Sequence, residues 1–178
     1  MDNKQKGFSL IELLIVVAII LIIAAIAVPN LIRSKISAAQ ASAVASVHAI
    51  DTAAVTYNAV YGNGFPASLQ VLGTKSGVTT VSCTNAELID STLTGGMKEG
   101  YSFELKPGQV QVNSSSSSCS AASGYSDGFM VVATPLQVGT TGQMSYCSDA
   151  SNVIRMNPAG APNPGPSPNC ASTDAPLQ

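Results

Sequence analysis

The sequence holds few of the residues from which active sites are built. Its 178 residues include one histidine and no tryptophan, and only 10% of the side chains are charged. A nucleophile needs a base beside it, and the single histidine, His48, has apolar neighbours. The patterns G-x-x-x-x-G-K, G-x-G-x-x-G and H-E-x-x-H are also missing. We therefore expect no enzymatic activity, no bound metal and no cofactor.

Clusters of basic residues are missing as well. Residues 62–178 contain four basic and seven acidic side chains, a net charge of −3. Binding to a phosphate backbone requires grouped Lys and Arg side chains. The sequence therefore indicates no nucleic-acid partner. A surface with so little charge favours self-association instead.

A long apolar run lies near the N-terminus. This run, residues 8–28, is 21 residues long, and its only polar side chains are Ser9 and Glu12. This length is sufficient for one membrane-spanning helix. Because Lys4 and Lys6 precede the run, the positive-inside rule predicts a cytoplasmic N-terminus, with the chain after Pro29 on the outer side.

The acid in this run is costly and needs a cation. A carboxylate inside a membrane is rare, and by default it indicates a functional residue. If the chain is cut between Gly7 and Phe8, the new α-ammonium lies four residues before Glu12, on the same face of a helix. Pairing within one chain or between two chains then becomes possible.

The residues around Glu12 have a specific pattern. Residues 6–14, with the sequence KGFSLIELL, resemble the class III signal of type IV pilins and type II secretion pseudopilins. The resemblance implies that a prepilin peptidase removes residues 1–7 and methylates Phe8. It also implies that Glu12 docks neighbouring subunits and that Pro29 bends the helix. One departure is Leu21, which stands in the apolar run where many relatives have a glycine that loosens the helix.

The resemblance further implies a location and a set of partners. The precursor would lie in the inner membrane, and after cleavage its copies would assemble into a pilus at the cell surface. Assembly would involve an ATPase, an inner-membrane platform and a secretin.

Three alternatives remain open at this stage. A pseudopilin of a type II secretion system would form a periplasmic filament. An uncleaved single-pass protein would present an adhesin or binding module. Ordinary signal peptidase could also recognise the A-x-A sequence of residues 25–27 and release a soluble protein.

The sequence predicts an α+β protein with one long helix and a small antiparallel sheet. Apolar residues from Ile32 to Tyr61 recur every 3.6 residues on average, so residues 29–61 should continue the helix of residues 8–28 as an amphipathic segment. An outer domain, residues 62–156, should pack on that stripe.

Within the outer domain we expect two short helices, a hairpin and a central strand. The helices would begin at Pro66 and after a Thr84–Glu87 capping box. The hairpin would join residues 101–106 to 110–112, and residues 129–133 would form the central strand. The tail, residues 157–178, holds six prolines and should be extended or disordered.

Four cysteines lie beyond the predicted membrane helix, in a compartment that permits disulfides. Two disulfides are the natural count, and four cysteines allow three connectivities. The resemblance to pilins implies Cys147 with Cys170, which leaves Cys83 with Cys119. Asp127 and Asp149 lie in polar segments where calcium could bind, but their spacing forms no recognised calcium loop.

Overall fold

The computed structural model describes residues 9–74, 77, 80–112, 124–125, 127–161 and 168–177. The chain divides between Lys35 and Ile36 into two compact units. Helix α1, Leu10–Tyr61, contributes to both units.

The second unit joins the later part of α1 to two short helices and eight strands. The helices are α2, Leu69–Leu72, and α3, Ser91–Thr94. The strands are β1 (Met97–Lys98), β2 (Tyr101–Pro107), β3 (Gln111–Val112), β4 (Gly124–Tyr125), β5 (Phe129–Pro135), β6 (Ser145–Asp149), β7 (Arg155–Asn157) and β8 (Ala175–Pro176). Six strands form an antiparallel sheet in the order β1-β2-β5-β6-β7-β8, and β3 pairs with β4 separately. The predicted α+β architecture, a long helix packed on an antiparallel sheet, is confirmed.

One face of the sheet packs on the apolar stripe of α1. The buried apolar residues of α1 in this unit include Val47, Ile50, Ala54 and Tyr57, which share one core with side chains of β2, β5 and β6. Burying such a side chain contributes about 1.5–3 kcal/mol. The predicted stripe is therefore confirmed from Ile36 onward, whereas Ile32, its first predicted member, is exposed.

The other face of the sheet has a smaller core of its own. Met130 and Val132 of β5 point away from α1 and pack with Cys147 and Cys170. Because successive residues of a strand face opposite sides, a strand covered on both sides is apolar throughout, as β5 is. The prediction of residues 129–133 as the central strand is confirmed, since β5 pairs with both β2 and β6.

The tail differs from its expected form. The sequence predicts an extended or disordered segment, but residues 168–177 of the tail cover the second face and extend the sheet. Strand β8 pairs with β7, and Cys170 and Asp174 are buried. The apolar side chains of β5 need cover and the edge of β7 needs hydrogen-bond partners, so this segment is ordered despite its prolines.

The predicted hairpin of residues 101–106 with 110–112 is wrong. Strand β2 pairs along its whole length with β5, and β3 pairs with β4. The carboxylate of Asp127 accepts hydrogen bonds from the backbone N–H groups of Gln109, at 2.6 Å, and Val110, at 3.0 Å. These contacts bind the segment after β2 to Asp127, and that segment does not fold back on β2 as a hairpin.

Both short helices begin later than the sequence predicts. Helix α2 begins at Leu69, after Ser68, so Pro66 lies before it. Helix α3 begins after Asp90, whose carboxylate accepts the N–H of Leu93 at 2.7 Å. Glu87 has a φ of +55°, a left-handed conformation that cannot continue a right-handed helix, so the predicted capping box starts none.

A disulfide joins Cys147 of β6 to Cys170 of the tail across 23 residues of sequence. Replacing both cysteines with alanine should lower the free energy of unfolding by about 3 kcal/mol, because the unfolded chain then regains the entropy of that loop. The measurement is urea unfolding of the full chain in detergent, followed by tyrosine fluorescence.

The matched comparison is Asp149→Ala, which keeps the disulfide but removes the acceptor for the Cys170 N–H at 3.1 Å and for the exposed N–H and hydroxyl of Ser151. Its expected loss is about 1 kcal/mol. Equal losses in the two variants would contradict a main role for the covalent link.

Candidate functional site: the N-terminal helix

The first unit presents apolar side chains without a cover. Every Leu, Ile and Val from Leu10 to Ile32 is exposed. In the part of the chain that the structure describes, α1 is the one helix long and apolar enough to cross a membrane, and none of its most apolar 18-residue window is buried. A surface of this size is stable only against lipid or against other apolar helices.

Glu12 forms a local contact at the start of this helix. The backbone N–H of Ser9 donates a hydrogen bond to Glu12 Oε2 at 3.0 Å. Ser9 directly precedes the first helical residue, and Glu12 is the third, which is the spacing of a capping box. The acid thus satisfies a backbone donor that the helix leaves without an intrahelical partner, and it lies at the positive end of the helix dipole.

The predicted processing residues, Gly7 and Phe8, lie outside the described residues. Cleavage between them, methylation of Phe8 and the pairing of Glu12 with an α-ammonium group therefore stay predictions.

Pro29 lies inside α1, which continues on both sides of it. A proline has no N–H to donate to the carbonyl four residues earlier. Polar side chains that follow it bond to backbone carbonyls four residues earlier: Asn30 Nδ2 donates to the carbonyl of Ile26 at 3.2 Å, and Ser34 Oγ donates to that of Asn30 at 3.0 Å. The apolar surface gives way to a polar helix here, while the predicted bend at Pro29 stays a prediction.

The cysteines and the two candidate calcium ligands lie in the second unit. The structure places Cys147 and Cys170 in the disulfide that the resemblance implies; Cys83 is disulfide-bonded too, and Cys119 lies outside the described residues. Desolvation raises the pKa of Asp149, but hydrogen bonds from Ser151 and Cys170 outweigh it and lower the pKa overall.

Asp127 and Asp149 thus serve as acceptors for backbone N–H groups. The described residues contain no group of three or more His, Cys, Asp or Glu side chains able to hold a metal ion.

An open groove of about 510 Å³ lies beside α1 in the second unit. It is lined by small side chains between Ala45 and Thr56, by His48 and by Leu88. His48 is exposed, and its Nδ1 lies 3.4 Å from Thr52 Oγ1. A histidine paired with a threonine on one helix turn is a surface contact and gives no reactive pair.

Comparisons with known proteins match the N-terminal helix. The family model for the prokaryotic N-terminal methylation motif matches residues 2–28. The chain is 48% identical over 52 residues to the type IV major pilin protein PilA of Myxococcus xanthus, a match covering 29% of this chain and 24% of that protein. These matches relate the N-terminal helix of this chain to type IV pilins and pseudopilins.

Two further relatives are pseudopilins. The chain is 43% identical over 62 residues to the type II secretion system core protein G of Vibrio cholerae, a match covering 33% of this chain and 42% of that protein. It is 32% identical over 73 residues to the core protein G of Dickeya chrysanthemi, a match that covers 41% of this chain and 47% of that protein. The chain thus matches less than half the length of each relative. No solved structure gives a significant match.

One buried acid in the second unit was not predicted from the sequence. Asp51 is 1% exposed, on the face of α1 that packs on the sheet. The signal was present in the sequence, because Asp51 follows Val47 by four residues and precedes Ala54 by three, which puts it in phase with the apolar stripe.

The Ser9–Glu12 contact predicts a local effect on the start of α1. In Glu12→Ala, amide hydrogen exchange at Ser9 should accelerate about fivefold, because a capping contact is worth about 1 kcal/mol. The measurement is NMR-detected exchange on the full chain in detergent micelles.

Glu12→Gln is the matched control, since its amide oxygen can still accept from Ser9 and should keep most of the protection. Fast exchange in both variants would show that the contact depends on the charge, and unchanged exchange in Glu12→Ala would contradict the contact itself.

Proposed function

We propose that this chain is the structural subunit of a type IV pilus or pilus-like filament, assembled by packing of residues 8–28 after cleavage between Gly7 and Phe8. The observation that carries the proposal is the exposure of every Leu, Ile and Val from Leu10 to Ile32. Such a helix needs lipid before assembly and other copies of itself afterwards. Apolar side chains without polar atoms can interdigitate closely between helices.

Glu12 would set the register of this packing. In a filament core its carboxylate would neutralise the α-ammonium of Phe8 in an adjacent subunit. A carboxylate has acceptor sites for several donors, so the bond from Ser9 to Oε2 leaves room for the ammonium. Because an unpaired buried charge is strongly unfavourable, a subunit docked one turn away from this pairing would be rejected.

The route of assembly follows from the family. The precursor would lie in the inner membrane with its N-terminus in the cytoplasm, and a prepilin peptidase would remove residues 1–7. An assembly ATPase, an inner-membrane platform and a secretin would then bring the filament to the cell surface. The role of the chain is structural and not enzymatic.

A second candidate is a pseudopilin of a type II secretion system. The matches to core protein G of two bacteria favour it, and its filament would stay in the periplasm. The higher identity to a major pilin, together with the disulfide-bonded tail, favours the surface pilus.

The intact mass of the protein in fibres sheared from cells tests processing and location together. We expect the mass of residues 8–178 plus one methyl group, increasing by about four protons on reduction if two disulfides are present. A trimmed and methylated chain found only in membranes would favour the pseudopilin. An uncut chain would favour the anchored binding module, and a soluble chain that begins near Val28 would contradict the filament.

Glu12→Ala tests the pairing. The variant should insert into the membrane, because it becomes more apolar, but its yield of fibres should fall about tenfold or more, because breaking a buried ion pair costs about 3–5 kcal/mol. Fibre yield is measured by shearing and immunoblotting, with membrane fractions as the reference.

The matched control is Glu104→Ala, which removes an exposed acid that pairs with Lys106 at 3.5 Å on β2. It should assemble normally. Normal fibres from Glu12→Ala would contradict the pairing, while loss of fibres from both variants would show that removal of any acid impairs assembly.

A further inference from the structure

Two buried polar groups meet where α1 packs on the sheet. Asp51 of α1 is 1% exposed, and Ser148 of β6 is fully buried. Among the described residues, neither Asp51 Oδ1 nor Ser148 Oγ has a hydrogen-bond partner. The hydroxyl lies close enough to the carboxylate to influence it, yet no bond of good geometry joins them. An unsatisfied buried polar group of this kind costs about 1–3 kcal/mol.

Ser148 occupies a central position in the fold. Tyr146 is in the core that packs on α1, so Ser148, two residues later, faces the same side of β6. Its neighbours Cys147 and Asp149 face the opposite side and hold the tail, one by the disulfide and the other by the bond to the Cys170 N–H. A contact between Asp51 and Ser148 therefore joins α1 to the strand that carries the tail.

The surrounding charges do not compensate an ionised Asp51. The titratable groups that act on it are His48, one turn earlier on α1, and Asp149 on β6. His48 is exposed, where water screens its charge, and Asp149 is itself negative. The positive charge of Arg155 on β7 acts on Asp149.

We propose that Asp51 and Ser148 form a proton-dependent clamp between α1 and the sheet. When the carboxyl group takes a proton from solvent, the buried group becomes neutral, and its O–H can donate to Ser148 Oγ. When the proton leaves, the Ser148 hydroxyl can donate to the carboxylate instead, but a charge remains buried without a counter-ion of its own, and this desolvated charge is what weakens the packing. Mild acid therefore tightens the packing of α1 on β6, and neutral pH loosens it.

The expected pH range follows from the environment of Asp51. Burial raises the pKa of Asp51 from 3.8 to about 6, although Ser148 and His48 oppose the increase. Between these two values the folded protein holds a proton that the unfolded chain releases. The stabilisation from this proton is thus complete below about pH 4 and is lost as the pH rises through about 6. Its loss increases the unfolding equilibrium constant about 100-fold.

The test compares the thermal stability and amide exchange of the full chain in detergent from pH 4.5 to 7.5. The wild-type chain should become less stable as the pH rises, with faster exchange in residues 47–54 and 145–149. Asp51→Asn stays neutral and can still donate to Ser148, so it should lose this pH dependence. At pH 7 its unfolding equilibrium constant should be about 100-fold smaller than that of the wild-type chain.

Two further variants test whether the transition belongs to Asp51. Ser148→Ala should shift the transition to higher pH, because the hydroxyl lowers the pKa of Asp51. His48→Gln removes the nearest other ionisable side chain on α1 that acts on Asp51, and a pH-dependent transition should remain. A transition that persists in Asp51→Asn, or that disappears in His48→Gln, would overturn the proposal.

A direct titration covers the case in which Asp51→Asn does not fold. Carboxyl carbon NMR of the wild-type chain should show one aspartate that titrates near pH 6 and is absent from the spectrum of Asp51→Glu. If no aspartate titrates above pH 5, the clamp does not exist.

Discussion

The packing of α1 on the antiparallel sheet is the interaction on which the second unit depends. The side chains from Ile36 to Tyr57 are buried on one face of the helix, and the sheet supplies the opposing aromatic and branched side chains. This contact determines which face of β5 points inward, and therefore which residues remain on the other side. Met130 and Val132 need a cover of their own, and the tail supplies it through Cys170 and β8.

Among the described residues of the first unit, residues 9–35, the same helix has no such partner. From Leu10 to Ile32 its apolar side chains are exposed, and no stripe distinguishes one face from another. A helix that is apolar all round has to be surrounded by an apolar medium or by apolar helices. This physical requirement connects the proposed membrane-bound precursor to the proposed filament, since either would surround the helix with apolar groups.

Two acids of α1 show how differently one chemical group can be accommodated. Glu12 lies at the helix start, where a backbone N–H and the helix dipole compensate its charge. Asp51 lies in the middle of the helix, where backbone N–H groups are already used within the helix and burial raises its pKa. The first acid is suited to bind a cation, and the second is suited to bind a proton.

Residues 6–14, the apolar run and the stripe of α1 were predictable from the sequence, because each is a local pattern whose meaning depends only on neighbours along the chain. Tertiary structure decided the partner of β2, the start of α3 after Asp90 and the ordered structure of residues 168–177 in the tail. Strand pairing and burial depend on residues that are distant in sequence: β2 meets β5 because both cover α1, and Asp51 meets Ser148 only after β6 has joined that sheet.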